Sequence, residues 1–513
     1  MLGGTGLIGR GEANSERTVI VDTENVQLAN GKVADAERKA QFGQFFTPVA
    51  IADFMAGLFV PGVGGACRLL DAGAGTGSLS VAFLRRWLAG GFICNQLEID
   101  AFEIDSVLHP KLAITLGKFQ KESGISYTIR GEDFIYAATD WLSGSLFARA
   151  LPTYTHAILN PPYKKIRSDS GHRAALRRAG IETVNLYSAF VALALGLLVD
   201  HGQLVAIIPR SFCNGPYYKP FREYILERSA LLHMHLFGSR NAAFKDDEVL
   251  QENIIILLER GAQQGMVTVS LSTDSTFGDL ASHQYPFDQI VLPDDPEQFI
   301  HVPTSPDGHF LEQSPVVCHS LAELGISVST GPVVDFRVKT FLRAMPEEGT
   351  VPLLYASHFS NSVTTWPLLG TKKPNAIVHN HETDKWLYPK GFYCVVRRFS
   401  SKEEARRVVA SIVDPVVFDS APMLGFENHL NIFHENKHGL TEALARGLVL
   451  FLNTTAIDEQ VRRFNGHTQV NATDLRTLKY PSREMLIELG EWGKQQEDLT
   501  QTLIDQKLES MIA

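Results

Sequence analysis

Apolar positions first recur at helical spacing between Pro48 and Phe59, where Ile51, Phe54, Met55, Leu58 and Phe59 fall on one face. Short apolar runs then alternate with amphipathic stretches. Cys67 to Leu70 predicts a strand, followed by a glycine-rich turn and a helix from Ser78 to Leu88. Further strands are predicted at Leu97 to Ile104, Tyr127 to Ile129, Ala157 to Leu159, Leu204 to Ile208, Leu231 to Leu236 and Ile254 to Leu258. A helix over Ala189 to Val199 precedes the Leu204 strand. This βαβα rhythm predicts an α/β fold, a doubly wound Rossmann-like sheet with helices on both faces. Ligands of such sheets bind beyond the carboxyl ends of the strands.

After about residue 320 the rhythm is lost. A strand-like piece at Phe392 to Val396 mixes with predicted helices at Lys402 to Ile412 and Thr441 to Leu452, and Arg483 to Ile512 reads as one polar amphipathic helix. We therefore expect a loose arm over residues 1–35, a catalytic domain over 36–318, a mixed α+β domain over 319–483, and a terminal helix over 484–513. At 513 residues the chain is too long for one ordinary core. Its formal net charge is −10, but residues 331–483 hold 19 Lys and Arg against 15 Asp and Glu. A slightly basic segment in an acidic chain suits contact with nucleic acid; it also suits ordinary solvated faces. No apolar run reaches the roughly 20 residues of a membrane span, and no secretory signal is visible. Cys67, Cys94, Cys213, Cys318 and Cys394 are scattered and odd in number. The expectation is a reduced, cytoplasmic protein without a structural metal.

The first chemical motif lies at a strand end: Asp71-Ala72-Gly73-Ala74-Gly75-Thr76-Gly77-Ser78. Glycines let backbone approach a ligand closely. A nicotinamide-binding GxGxxG is the competitor, but the spacing here is GxGxG over Gly73, Gly75 and Gly77. No lysine follows as in a phosphate-binding P-loop. The form, with Asp71 preceding, resembles the S-adenosylmethionine site of class I methyltransferases. A ribose needs a carboxylate at the end of the next strand. Glu103 is the choice there, with Phe102 and Ile104 as expected buried neighbours and Asp105 as the alternative. Asp133 is placed to accept from the adenine amino group, and Phe134 to pack on the ring.

The second motif, Asn160-Pro161-Pro162-Tyr163, follows an apolar strand and lies 83 residues after Gly77. Prolines fix φ and remove backbone donors, so acceptors remain: the Asn160 side-chain oxygen and the Pro161 carbonyl. Two acceptors can grip both N–H groups of a conjugated amine and turn its nitrogen toward tetrahedral geometry. Its lone pair then faces the methyl donor, and positioning supplies much of the catalysis. Tyr163 offers a stacking surface to a base turned out of a duplex. A cytosine-C5 enzyme would need a nucleophilic thiolate, commonly after proline, and no cysteine here follows one.

With both motifs the chain resembles a γ-class DNA N6-adenine methyltransferase of a type II restriction-modification system. The phrases Ser327 to Arg337, Val395 to Ser400 and Phe464 to Leu475 resemble the group recognising CTGCAG. The resemblance implies base flipping in double-stranded DNA, S-adenosyl-L-methionine as cofactor and a separate cognate restriction endonuclease. It makes residues 319–483 a target-recognition domain. Gly43-Gln44-Phe45-Phe46-Thr47-Pro48 resembles the family's cofactor element, with Thr47 on the cofactor carboxylate. Phe244 matches the aromatic packed on the flipped base, with Phe237 as alternative.

Candidate DNA-binding residues are Lys164, Lys165 and Arg167, with Arg173, Arg177 and Arg178 nearby, and Arg397, Arg398 and Asn465 in the C-terminal region. A solvated helix face is the other account of the first cluster. His233 and His235 sit on a predicted strand and suit packing better than ligation. Protein glutamine N5-methylation and RNA base methylation remain rivals, because the same acceptor pair serves any inert amine.

Overall fold

The computed structural model describes residues 47–512 except 62–64, 145–152, 239–251, 304–313, 361–362, 401–403, 419–420, 466–467 and 497. The expected arm over 1–35, most of the Gly43 to Pro48 element, and Phe244 lie outside the described residues.

Helix α1 (Val49–Leu58) leads into β1 (Cys67–Ala72), α2 (Ser78–Leu88), β2 (Leu97–Phe102), α3 (His109–Gly117), β3 (Ile125–Arg130), α4 (Phe134–Leu142) and β4 (Tyr154–Leu159). Then come α5 (Gly171–Arg178), α6 (Leu186–Leu197), β5 (Leu198–Pro209), α7 (Lys219–Arg228), β6 (Ser229–Phe237), β7 (Asn253–Arg260), β8 (Val267–Ser272) and β9 (Ala281–Tyr285). All nine strands form one sheet of order β3-β2-β1-β4-β5-β7-β6-β8-β9. Strands β1 to β5 pair in parallel and β7 runs antiparallel between β5 and β6. The order reverses between β1 and β4, and there the carboxyl ends open a crevice. Helix α6 is apolar on nearly all sides and is buried accordingly.

Two sheet-faced cores result, one around α4, α6 and α7 and one around α1 and α2. The expected strands are all present, most of them longer than the apolar run that marked them. The polar ends are held by ladder hydrogen bonds, which periodicity does not register.

The C-terminal part contains a four-stranded sheet of β10 (Ser327–Thr330), β12 (Tyr393–Arg397), β13 (Ala410–Val413) and β15 (Leu430–His434). A five-stranded sheet includes β11 (Thr350–Leu354) and β14 (Met423–Phe426). Helices α8 (Glu442–Leu452), α9 (Thr455–Phe464), α10 (Ala472–Thr477), α11 (Arg483–Lys494) and α12 (Gln501–Ile512) follow. Phe299 already packs in the core of this C-terminal part, stacked on Phe464 at 5.7 Å, so the change of core begins before the expected 318/319 boundary.

Three expectations need correction. Among the described residues of the expected helix Lys402 to Ile412, those from 404 to 412 are not helical. The end of that segment is strand β13, paired to β12, because Ala410 and Ile412 bury against that partner. The terminal helix is two helices, with Gln495 closing the first. Cys67 and Cys94 are joined as a disulfide, with Cα atoms 6.1 Å apart. The reason is topological: β1 and β2 start side by side, with Cys67 opposite Leu97. Neither spacing nor parity of the cysteines carries that information.

Candidate active site

The glycine turn follows β1. Gly73 (φ +86°) and Ala74 donate their N–H groups to the Phe102 carbonyl at 2.9 and 2.8 Å, which ties the turn to the end of β2. Glu103, next in line, accepts from Gly75 N at 2.8 Å and from Asp105 N at 2.8 Å. Burial pushes its carboxyl pKa up, against these backbone donors. Asp105 accepts from Val107 N and starts the turn into α3, and it does not line the cavity described below. Ile104 corrects an expectation: it is 50% exposed and forms a cavity wall.

Asp71 is fully buried beneath the turn and accepts from Ser80 Oγ at 2.6 Å. Burial raises its pKa to about 7, with the Ser80 hydrogen bonds opposing. It braces the turn from below and does not line the cavity. Gly77 caps α2 in the left-handed region (φ +90°), and a Cβ there would press on Leu112 and Thr115 of α3.

Asp133 is the N-cap of α4 and accepts from Ile135 N at 2.8 Å. Its other oxygen accepts from His172 Nε2 of α5, also at 2.8 Å. Burial would raise the Asp133 pKa. The hydrogen bond and charge of His172, with the Ile135 and Tyr136 backbone donors, outweigh it and hold the carboxyl below its ordinary value. Phe134 is buried between Phe102 and Phe190, each at 5.1 Å.

Asn160 follows β4. Its Nδ2 donates to Thr47 Oγ1 at 3.0 Å, and its Oδ1 accepts from the Tyr163 hydroxyl at 3.3 Å. The same hydroxyl reaches the Ile207 carbonyl on β5. The amide is thus held from both ends. The Asn160 backbone carbonyl lies 3.9 Å from where a Cβ on Gly73 would sit, so the two motifs touch across the β1/β4 crevice. Tyr163 packs half-buried against both cores, and burial raises its pKa.

A cavity of about 390 Å³ joins these parts. Gly73, Gly75, Glu103, Asp133, Phe134, Asn160 and Pro162 line it, with Lys164, Lys165 and Arg167 at its rim. Thr47, Asp71, Gly77, Pro161 and Tyr163 do not line it. The sequence reading missed the apolar walls Ile104, Ile135, Leu186 and Phe190, and also His172. The period of α6 marks Phe190 as apolar but does not say that its face borders a cavity. His172 had no local signal, because its partner lies 39 residues away.

Residues 152–244 match the family model described as Eco57I restriction-modification methylase. Type II methyltransferase M.BsuBI of Bacillus subtilis is 52% identical over 479 residues, covering 93% of this chain and 95% of that protein. The chain belongs to the type II methyltransferases. M.PstI of Providencia stuartii, a second such methyltransferase, is 41% identical and covers 96% of this chain and 97% of its own length. The solved structure of the type IIL restriction-modification enzyme MmeI in complex with DNA shares the fold, with a TM-score of 0.51 at 12% identity. It covers 98% of this chain and 75% of that one. The nine-stranded sheet is a doubly wound α/β arrangement, and a mixed α+β part follows it.

Outside the cavity, the methyltransferase places several expected DNA contacts differently. Asn465 is buried, donating to Asp474 Oδ2 at 2.8 Å and to the Gln469 carbonyl at 2.9 Å, and accepting from Arg407 at 2.5 Å. It is an internal strut. Arg173 is buried on the Thr183 carbonyl and Glu182, and Arg177 shares that carboxylate. Arg173 is thereby committed inside the protein, whereas Arg177 stays largely exposed, and the one carboxylate balances only one of the two charges. Arg397 pairs with Glu404 and stays partly exposed. Arg398 donates to the Asn428 carbonyl and to Asn471 Oδ1. Phe237, the alternative to Phe244, is 2% exposed and packs against His235 and Phe277. His233 and His235 pack on their strand as expected, with burial pushing their pKa values down to about 4 and about 3.

Proposed function

We propose that this type II methyltransferase transfers a methyl group from S-adenosyl-L-methionine to N6 of an adenine flipped out of duplex DNA. The observation that carries the reading is Asn160. Its amide is fixed by Thr47 and Tyr163 beside the glycine turn, at the mouth of a cavity suited to an adenosyl group. The fit rests on donor chemistry. Glu103 would accept from the ribose hydroxyls and Asp133 from the adenine amino group, while Ile104, Ile135 and Phe134 face the ring. Bound there, the cofactor would supply an electrophilic methyl on a sulfonium sulfur.

The chain's own part is positioning. Asn160 Oδ1 and the Pro161 carbonyl accept the two N–H bonds of the target amine and aim its lone pair. The proton lost after transfer leaves to water. Thr47, expected on the cofactor carboxylate, supports this reading through its grip on the Asn160 amide. The N-terminal part through residue 318 is assigned the chemistry, and residues 319–483 target recognition. Methylation would protect the site against a separate cognate restriction endonuclease.

The test is incubation with methyl-labelled S-adenosylmethionine and plasmid DNA carrying CTGCAG, followed by base analysis. Label in N6-methyladenine is expected. Label in cytosine, RNA or protein glutamine would overturn the substrate assignment. Asn160→Ala should lower turnover by about 100-fold or more, in the range for losing a key polar contact to the reacting group. Its cofactor dissociation constant should stay within about twofold of the parent's, since binding rests on other groups.

A further inference from the structure

The turn Glu427–His429 carries the chain from β14, in the five-stranded sheet, to β15, in the four-stranded one. It is tightly held. Glu427 N donates to the Leu354 carbonyl, Asn428 N to that of Val333, and Leu430 N to that of Glu427. A Cβ on Gly331 would overlap the Glu427 carbonyl, so backbone meets backbone there. The Glu427 side chain is fully buried, and among the described residues its oxygens accept from His429: the backbone N at 3.0 Å and the ring Nδ1 at 2.6 and 2.7 Å. The His429 side chain is 41% exposed. Burying a carboxylate is costly, and backbone bonds already close this turn. What the carboxylate adds is a fixed orientation of a surface imidazole. With Nδ1 donating inward, Nε2 is the ring nitrogen left to face outward.

The neighbours suit nucleic acid. Phe399, 41% exposed, lies tilted against the imidazole with centroids 4.7 Å apart. Arg398 flanks the turn through its backbone N–H on the His429 carbonyl. Asp335 nearby is neutralised by Lys373 at 2.8 Å. A hydrogen-bond chain also runs from this turn to the catalytic edge. Arg398 donates to Asn471 Oδ1, Asn471 N to Asp474 Oδ2, and Asn214 Nδ2 to Asp474 Oδ1. Asn214 stands just beyond the carboxyl end of β5, the strand beside the one that delivers Asn160.

We propose that His429 reads a base edge of the target duplex, with Phe399 packing beside it and buried Glu427 as the positioning residue. The inference rests on the reading of the substrate as DNA. Nε2 accepts from an exocyclic amino group, or donates to a purine acceptor when the ring is charged; both are base-edge contacts.

The experiment measures methylation kinetics and binding on a duplex containing CTGCAG and on a scrambled duplex. His429→Ala should lower kcat/KM on the specific duplex about 10-fold or more, mainly through KM. The specific-to-nonspecific binding ratio should fall with it, while cofactor affinity and melting temperature hold. Glu427→Gln should give a similar loss, and Glu427→Gln with His429→Ala should be no worse than His429→Ala alone. A merely structural turn would instead show lowered melting temperature and unchanged binding ratio. Parental kcat/KM and binding ratio in a folded His429→Ala protein would overturn this inference alone. Failure of the parent protein to methylate any DNA while methylating another substrate would overturn the substrate reading with it.

Discussion

At the residue scale, the contact between Asp133 and His172 makes a pH prediction. The His172 pKa is raised above its ordinary 6.5, first by its hydrogen bond to Asp133 and then by that group's charge. A raised folded value means stabilisation that is complete below the unfolded pKa and lost as pH rises through the folded one. The Asp133 value is lowered, so its share is present above the unfolded carboxyl value and lost in acid as pH falls through the folded one. The two overlap across the mildly acidic to neutral range. Hydrogen exchange in α5 should therefore speed up as pH rises past the raised His172 value, after correction for intrinsic exchange. In His172→Gln, whose amide keeps a donor but does not titrate, that step should vanish. An identical step in the variant would assign it to another group.

The same scale shows which site residues the sequence could reveal. Glu103 and Asn160 are recognisable because their chemistry depends on neighbours in the chain: a strand end, a glycine turn, two prolines. His172 and Phe190 reach the cavity only because α5 and α6 fold back over it. Asn465 shows the reverse error. A polar side chain in a basic segment looks like a DNA contact, but burial ties Asn465 to Asp474 and Gln469.

At the scale of elements, helices α8 and α11 cross with their backbones in contact. A Cβ on Gly447 would overlap the Leu486 carbonyl, and one on Gly490 the Ala443 carbonyl. Gly447→Ala gains helix propensity but must push the helices apart. Overpacking of this kind costs about 1–3 kcal/mol, and the gain in propensity is under about 1 kcal/mol. A lowered urea midpoint is expected, with cofactor affinity unchanged because the crossing is remote from the crevice. An unchanged midpoint would show that the helices separate freely. The Lys402 to Ile412 segment teaches a related lesson. Its composition favours helix up to Ala405, but the partner strand β12 takes Ala410–Val413 into a sheet. Strand pairing is nonlocal, and local propensity is a weak prior against it.

At the scale of the whole molecule, Arg210 links the nine-stranded sheet to the C-terminal core. It leaves the end of β5, pairs with Glu252 at 2.8 Å with both side chains almost fully buried, and donates to the carbonyls of Arg462 and Arg463 on the helix that packs in that C-terminal core. Breaking a buried pair by removing one partner costs about 3–5 kcal/mol, because the remaining charge is left uncompensated. Arg210→Ala should therefore lower the melting temperature, read by calorimetry. Parental stability would show that this pair does not couple them.

The alternation of apolar strands and amphipathic helices up to Leu258 was enough to establish a doubly wound sheet, because burial on both faces leaves a periodic trace in the chain. The Gly73-x-Gly75-x-Gly77 turn and the Asn160 turn were legible for the same reason, each being a local solution to a local chemical demand. Tertiary structure alone decided what depends on separate segments meeting. It put Thr47 on the Asn160 amide and His172 on Asp133, and it brought Cys67 to Cys94. It also spent the polar groups of Asn465 inside the protein and left His429 at the surface, backed by a buried carboxylate. Sequence spacing measures distance along the chain, whereas burial and hydrogen bonding are set by distance in space.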